Sequence, residues 1–283
     1  MSYLTTPTSF ITVDGTKIAY RELSPGASRL PLVMLVHLAA NLDNWDPRLV
    51  DQLANDRHLI LLDLPGVGAS SGTVPPTLEE AGEQAARIVR GLGHDRVDLL
   101  GLSMGGMIAQ EVVRHDPELV ERLILVGTGP RAGLGIDKVT PTTFRHMFRA
   151  ALKRKDPKRY IFYTRDAHGE AVANEVLGRL GSRTAQYADK AVTVPSFLRQ
   201  LRAIKRWGAS PADDLSHITM PTLIVNGDTD DMVPTPNSYD MHERIADSRL
   251  VIYPHAGHGS LFQHAEEFAA EVNGFLADTA ANS

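Results

Sequence analysis

The hexapeptide Gly101-Leu102-Ser103-Met104-Gly105-Gly106 decides how the fold of this chain is interpreted. It follows the run Val97-Asp98-Leu99-Leu100, which is typical of a buried strand, and it precedes a helical pattern. A Gly-x-Ser-x-Gly sequence between a strand and a helix is the signature of a tight turn that presents a nucleophilic serine. Small residues are needed two positions either side of that serine, because a side chain there would clash with the strand or the helix. We therefore predict a nucleophile at Ser103.

The composition is that of a folded globular protein. Of the 283 residues, 43% are hydrophobic and 22% are charged, which suits one α/β domain with room for an insertion. No apolar run approaches the ~20 residues that cross a bilayer, and the first residues lack the pattern of a signal peptide. We therefore expect a cytoplasmic protein without membrane contact.

Because the chain has no cysteine, disulfides, thiolate metal sites and cysteine nucleophiles are excluded.

Charge is unevenly distributed along the chain. Residues 131–210 hold 17 Lys and Arg against 6 Asp and Glu, whereas the remainder holds 12 against 28. Two explanations are open: a basic inserted subdomain that docks on an acidic body, or a basic segment that steers an anionic ligand towards a cleft. No nucleic-acid recognition motif accompanies the charge, so we expect no nucleic-acid partner.

Strands and helices alternate along the first 130 residues. Two alternating segments, 10–13 and 17–21, flank the hairpin signal Asp14-Gly15. Apolar runs at 32–36, 58–62 and 122–126 are typical of strands covered on both faces, with helical patterns at 44–54, 77–91 and after Ser103. This order predicts the α/β class, with a mostly parallel, doubly wound sheet.

The alternation stops between about residues 131 and 212. Segments of helical character at 144–152, 170–180 and 197–207 replace it, and the alternation then resumes at 222–225, 236–245, 250–253 and 260–276. We therefore predict a core formed by residues 1–130 and 213–283. Residues 131–212 are predicted to be a helical lid inserted after the sixth strand.

A serine nucleophile needs a base that takes its proton and a carboxylate that orients the base. In the order Ser, acid, His, the acid follows the strand after the insertion and the histidine follows the next strand. Asp228, Asp230 and Asp231 compete for the acid position. For the base, His258 lies in a flexible loop before the final helix, whereas the nearer His255 suits a structural role.

The other histidines do not pair at the spacing of metal ligands, so we expect no metal and no cofactor. They are His37, His58, His94, His115, His146, His168, His217, His242 and His264.

An oxyanion also needs two backbone N–H donors. Met104, directly after the serine, is predicted to supply one, and the loop at 37–45 is predicted to supply the other.

Together these stretches resemble the α/β-hydrolase superfamily over nearly the whole chain. The resemblance rests on the loop at 37–46, the turn at 63–70, the hexapeptide at 101–106, the loop at 227–234 and the segment at 256–259. The lidded members that look most similar are carboxylesterases, 3-oxoadipate enol-lactonases and cofactor-free haloperoxidases. The resemblance implies a serine hydrolase that cleaves a small-molecule ester or lactone through an acyl-enzyme, without a cofactor. Perhydrolysis, carbon–carbon bond hydrolysis and a non-catalytic receptor of the same fold are the alternatives.

The resemblance also implies roles for individual residues. In the family the acid usually lies four residues before the proline of a Val-Pro pair, which implies Asp230, and the histidine of a Gly-His pair implies His258. The family pattern, counted back from Trp45, implies Leu38 as the second oxyanion donor, or Ala39 if the register shifts by one. The chain departs from the family at His37, where a small residue is usual.

Aromatic residues of the predicted lid are candidates for the pocket wall. At helical spacing, ordinary core packing is the competing interpretation. The candidates for substrate contact are Phe144, Phe148, Phe162 and Trp207, with Met147, Tyr163 and Phe197 as further candidates.

Overall fold

One mixed sheet organises the chain. The computed structural model describes residues 2–27 and 29–277, so positions 1, 28 and 278–283 of the predicted core lie outside the described residues. The strands are β1 (Ser9–Val13), β2 (Thr16–Leu23), β3 (Leu32–Leu35), β4 (Leu59–Leu62), β5 (Val97–Leu102), β6 (Val120–Val126), β7 (Thr222–Gly227) and β8 (Ser248–Tyr253). Among the described residues they form one sheet in the order β1-β2-β4-β3-β5-β6-β7-β8. The pairs β1/β2 and β2/β4 are antiparallel and the other pairs are parallel, which confirms the predicted class.

Helices cover both faces of this sheet. They are α1 (Pro47–Leu53), α2 (Leu78–Gly91), α3 (Met104–His115), α4 (Val139–Lys153), α5 (Lys158–Phe162), α6 (Ala167–Leu180), α7 (Val194–Ala209), α8 (Pro236–Arg244), α9 (Ser260–Gln263) and α10 (Ala265–Ala277). Alternate residues of β3 serve the two faces: Val33 and Leu35 pack with α2 and α3, whereas Leu32 and Met34 pack with α1 and α10. No described helix has the length and hydropathy needed to cross a bilayer.

The segment between β6 and β7 is helical. We refer to residues 136–209, which carry α4 to α7, as the helical insertion. The predicted segments 144–152, 170–180 and 197–207 lie inside α4, α6 and α7. The five-residue helix α5 was not predicted, because one turn carries too little periodicity to be recognised. The single helix predicted at 260–276 is two helices in the structure. The helical conformation is interrupted at His264 (φ −115°, ψ 45°), which separates α9 from α10.

Basic side chains of the insertion bind carboxylates of the core. The Arg179 guanidinium donates from two nitrogens to the two oxygens of buried Asp46, at 2.8 and 2.7 Å. Arg183 contacts Asp43 at 3.1 Å. Paired donors of this kind match the two oxygens of a carboxylate and are stronger than neutral hydrogen bonds. The charge contrast in the sequence is therefore explained in part by a basic insertion that docks on an acidic body.

Candidate active site

Ser103 occupies a sharp turn between β5 and α3. Its backbone has φ 57° and ψ −116°, a region that costs a non-glycine residue about 1–3 kcal/mol. Two hydrogen bonds hold it there: the Ser103 N–H donates to the Val126 carbonyl at 2.8 Å, and the Thr128 hydroxyl donates to the Ser103 carbonyl at 2.8 Å. The neighbouring strand β6 and the residues after it therefore fix the conformation of the serine.

Glycine is required on both sides of that turn. A Cβ on Gly105 would overlap the carbonyl oxygen of Leu35, and a Cβ on Gly101 would overlap the backbone of Gly105 and Gly106. α3 therefore lies directly against the end of β3. This close approach is the physical reason why small residues are needed two positions either side of Ser103.

His258 lies between the serine and a carboxylate. Its Nε2 is 2.9 Å from the Ser103 hydroxyl oxygen, and its Nδ1 is 2.7 Å from Asp230 Oδ2. Because a carboxylate only accepts, Nδ1 of the neutral imidazole carries the proton, which leaves Nε2 to accept the serine proton. All three side chains are buried. The structure brings together the three residues that the sequence places on separate loops.

The three competing acids have separate positions. The second oxygen of Asp230 accepts from the N–H groups of Met232 (2.8 Å) and Val233 (3.0 Å), so the carboxylate that faces His258 is fixed. Asp228 accepts from the backbone N–H groups of His255 and Ala256 at 3.0 and 3.1 Å. It thereby holds the histidine-bearing loop, and His255 participates only through its backbone, as a structural residue would.

Asp231 faces the helical insertion instead. Arg165 contacts its carboxylate at 3.1 Å, the buried His146 at 3.3 Å and Arg145 at 3.6 Å. The loop that carries Asp230 is therefore tied directly to α4 and to the segment after α5.

The loop after β3 is held in a defined conformation without a glycine. The His37 Nδ1 donates to the Leu38 carbonyl at 2.9 Å, and the Ala39 N–H donates to Gln200 Oε1 at 2.9 Å. Both ends of the Leu38–Ala39 peptide are thus fixed, and Ala39 is held at φ 59°. The N–H of Ala39, the alternative oxyanion donor, is thus already paired with Gln200. Within residues 2–27 and 29–277, no acceptor takes the N–H of Leu38 or Met104.

His37 remains neutral in this environment. Burial lowers its pKa to about 3, against the effect of its hydrogen bond to Leu38, and the charges of Lys158 and His258 lower it further. Its ring meets the Phe162 ring edge-on at 4.7 Å. His37 therefore acts as a neutral hydrogen-bond donor that fixes the loop, a role that sequence reasoning missed.

A cavity of about 550 Å³ opens onto Ser103 and His258. This volume lies within the range of small-molecule sites. Most of its wall is apolar and comes from Met107, Val139, Met147, Ile161, Phe162, Val194, Phe197, Ile204, Met232 and Val233. Its charged residues are Asp43, Asp156, Lys158 and Asp189. Such a wall favours an apolar substrate body with few polar groups.

The structure places only some of the predicted substrate-contact residues at the cavity wall. Phe162 lines the cavity, as do the further candidates Met147 and Phe197. Phe144 and Phe148 do not line it: they are 46% and 67% exposed, and the Phe144 ring lies 6.3 Å from that of Phe197. Trp207 is 1% exposed and packs in the core below Arg131, whose guanidinium carbon is 5.2 Å from the ring centre. The amphipathic pattern of these helices therefore did not separate residues that face the cavity from exposed residues or from residues in the core.

Within residues 2–27 and 29–277, two clusters place side chains at the spacing of metal ligands, although no such pairing was predicted from the sequence. In the first, Glu22, His58 and His94 offer ligand atoms within 4.8 Å of one another, and in the second Asp213, Asp214 and His217 do so. The His58 Nε2 already pairs with Glu22 at 3.0 Å. Neither cluster includes a residue that lines the cavity.

The chain is similar to known proteins over nearly its whole length. The family model for the alpha/beta hydrolase fold matches residues 31–265. A 2-hydroxy-6-oxononadienedioate/2-hydroxy-6-oxononatrienedioate hydrolase of Klebsiella pneumoniae is 30% identical over 284 residues, which cover 95% of each chain. A non-heme haloperoxidase of Rhodococcus erythropolis is 27% identical over 94% of this chain and 98% of its own.

The similarity extends to the helical insertion. An alpha/beta hydrolase fold protein of Chitinophaga pinensis has a TM-score of 0.91 and 33% identity, covering 99% of this chain and 100% of its own. A match of that extent includes the sheet and the segment between β6 and β7.

Proposed function

The chain belongs to the α/β-hydrolase fold family, and within it we propose a serine hydrolase that cleaves a small carboxylic ester or lactone through an acyl-enzyme. One observation carries this proposal. Ser103, His258 and Asp230 form a continuous hydrogen-bonded chain of 2.9 and 2.7 Å, and Ser103 and His258 line a largely apolar cavity. A serine with its base and an orienting acid is the arrangement that acyl transfer requires.

Each residue has a defined part in the proposed reaction. His258 Nε2 takes the Ser103 hydroxyl proton as Oγ attacks the substrate carbonyl, and then gives that proton to the departing alkoxide oxygen. The ester C–O bond breaks and the acyl group remains on Ser103. In the second half His258 takes a proton from water, the hydroxide attacks the acyl carbon, and Ser103 leaves with that proton. Asp230 holds the imidazole in its reactive tautomer throughout.

The N–H groups of Leu38 and Met104 are the proposed oxyanion donors. Each tetrahedral intermediate places a negative charge on the former carbonyl oxygen, and removal of one donor typically costs about 3–4 kcal/mol of transition-state stabilisation. The absence of an acceptor on either N–H among the described residues, and the hydrogen bonds that fix the Leu38–Ala39 peptide, support this assignment.

We infer that the helical insertion, with the loops around it (131–212), is a lid. It contributes one wall of the cavity through α4, α5 and α7, whereas Ser103 and His258 come from the core. An apolar cover of this kind lowers the local dielectric constant, which strengthens the electrostatic interactions beneath it.

Carbon–carbon bond hydrolysis by the same three residues is the second candidate. The relative from Klebsiella pneumoniae supports it, because the compound in that protein's name is an oxo-dioate without an ester, whose hydrolysis must break a carbon–carbon bond. The two reactions differ in the leaving group, which is an alkoxide in one case and a carbanion in the other.

A substrate panel tests the proposal. Esters, lactones and oxo-dienoates are incubated with the wild type and with Ser103→Ala. We expect ester or lactone turnover that falls by several orders of magnitude in the variant. Turnover of oxo-dienoates alone would favour the second candidate. Tight binding without turnover of any compound would instead indicate a receptor.

A further inference from the structure

We propose that Lys158 binds an anionic group inside the cavity, and that the substrate therefore carries a carboxylate in addition to the bond that is cleaved. The inference rests on the proposed function for its substrate, although the binding of the anion can be tested without turnover. Lys158 is one of 17 basic residues in the segment 131–210, and the sequence alone does not indicate which of them would bind a ligand.

Lys158 differs from the other cations of the insertion in its position. It is the only Lys or Arg among the described residues that line the cavity, where Ser103 and His258 also lie. Its side chain is half-buried, and in residues 2–27 and 29–277 no carboxylate oxygen lies within 4 Å of its ammonium group. By contrast, Arg165, Arg179 and Arg183 each contact a core carboxylate. The positive charge of Lys158 is therefore available to a ligand.

The acidic residues of the cavity wall contact groups other than the ammonium group of Lys158. Asp43 lies between Arg21 at 2.7 Å and Arg183 at 3.1 Å, so its charge is compensated. Asp156 is exposed, and it accepts the backbone N–H of Lys158 at 2.8 Å rather than its ammonium group.

Asp189 is the third acid of the wall. One of its oxygens accepts the Lys190 N–H at 2.7 Å, and its other oxygen lies beside the buried carboxyl of Asp63. No acid of the wall is thus positioned to neutralise Lys158.

The surroundings of Lys158 make the charge effective. Its ammonium group is close enough to the buried His37 to contribute, after burial, to the lowered pKa of that ring. Most of the cavity wall is apolar, and an ion pair between an ammonium group and a carboxylate is stronger there than in water. An apolar acyl chain or ring that ends in a carboxylate matches this combination of wall and charge.

The net charge of the segment agrees with an anionic ligand. Residues 131–210 hold 11 more basic than acidic residues, 17 against 6. A field of that sign raises the encounter rate of an anion with the cavity mouth, in a salt-dependent manner. Docking on the acidic core and steering of an anion are therefore compatible explanations of the same surplus.

The first experiment compares two esters that differ only in one charge: mono-4-nitrophenyl adipate and its methyl ester, with the suberate pair for a longer chain. The readout is the ratio of kcat/KM for the anionic ester to that for the neutral ester. We expect Lys158→Gln to lower this ratio by about 10- to 100-fold, mainly through KM, as for loss of a hydrogen bond to a charged group. Lys158→Arg should restore most of it.

The matched control is Lys155→Gln. Lys155 is exposed in the same segment and does not line the cavity, so its loss removes the same charge without touching the site. We expect the ratio to stay within about twofold of the wild type. An equal fall in both variants would contradict a specific site and would indicate steering by the field of the segment alone.

The second experiment measures binding without turnover. Mono-4-nitrophenyl adipate is titrated calorimetrically into Ser103→Ala and into Ser103→Ala combined with Lys158→Gln. The proposal predicts binding that weakens about 10- to 100-fold in the double variant. Equal affinity would overturn the anion site even if the protein hydrolyses esters. Conversely, weaker binding of the ester by the double variant, together with a wild type that hydrolyses no ester or lactone, would support the anion site. That result would contradict the proposed hydrolase activity.

Discussion

The ring of Phe162 stacks on the imidazole of His258, with centroids 5.5 Å apart and planes inclined by 30°. The Phe162 carbonyl also accepts the Gly259 N–H at 2.7 Å. The last residue of α5 thus contacts both the ring of His258 and the backbone that follows it. A short helix of the insertion, which the sequence did not predict, positions the proposed general base.

Loss of the Phe162 ring should therefore reduce catalysis. We expect Phe162→Ala to lower kcat by about 10- to 100-fold, since displacement of a catalytic group by about 1 Å has an effect of that size. Phe162→Tyr, which keeps the stacked ring, should retain most of the activity. The pH dependence of kcat/KM is measured for all three proteins, because a merely structural residue would not move it. Phe148→Ala is the control, since Phe148 is 67% exposed and does not line the cavity.

Among the three acids, Asp230 should matter most. Asp230→Asn keeps the shape but favours the wrong histidine tautomer, which costs up to ~10⁴-fold in kcat for triads of this kind. Asp228→Asn still accepts a backbone hydrogen bond, and Asp231→Asn weakens only contacts with the insertion, so each should lose far less. The measurement is kcat for the three variants with one ester. A larger loss in Asp228→Asn than in Asp230→Asn would reject the assignment.

Gln200 should control the oxyanion loop. Its Oε1 accepts the Ala39 N–H at 2.9 Å, and Gln200→Leu would leave that N–H unpaired. We expect kcat to fall by about 10-fold as the Leu38–Ala39 peptide loses one of its two anchors, a fraction of the cost of losing a donor outright. Gln200→Glu keeps an acceptor and should be closer to the wild type. If both variants behave alike, the hydrogen bond has no part in catalysis.

Stability should depend on pH through Asp63. Burial raises the pKa of this carboxyl well above its usual range, and the neighbouring Asp189 raises it further. A raised pKa in the folded state means that the stabilisation is present at low pH and is lost as pH rises through the folded-state pKa. Urea unfolding of the wild type from pH 5 to 9 should therefore show a falling free energy of unfolding, and Asp63→Asn should flatten this dependence. The exposed-site variant Asp56→Asn should retain the slope of the wild type.

The sequence could predict the sheet and the order of the site residues because both depend on local patterns. Buried strands are continuous apolar runs, and the nucleophile needs small neighbours at Gly101 and Gly105 for steric reasons. Which side chains of the insertion face the cavity could not be predicted in the same way. Phe162 and Trp207 look equivalent in sequence, yet one lines the cavity and the other lies in the core.

Contacts between distant segments were also beyond prediction. The fixation of the Leu38–Ala39 peptide depends on Gln200, which is 161 positions away in sequence from Ala39. The position of Lys158 in the cavity wall depends on how α5 packs over the core. Neither relation leaves a periodic signal in the chain, so only the folded arrangement reveals them.

In the proposed reaction Ser103 carries the acyl group during turnover. The most direct measurement is intact-protein and peptide mass spectrometry of wild-type enzyme quenched during turnover of a 4-nitrophenyl ester. We predict a mass increase equal to the acyl group on the peptide that contains Ser103, and no such increase in Ser103→Ala. Turnover without an adduct on that peptide, or an equal rate in Ser103→Ala, would show that Ser103 is not the nucleophile.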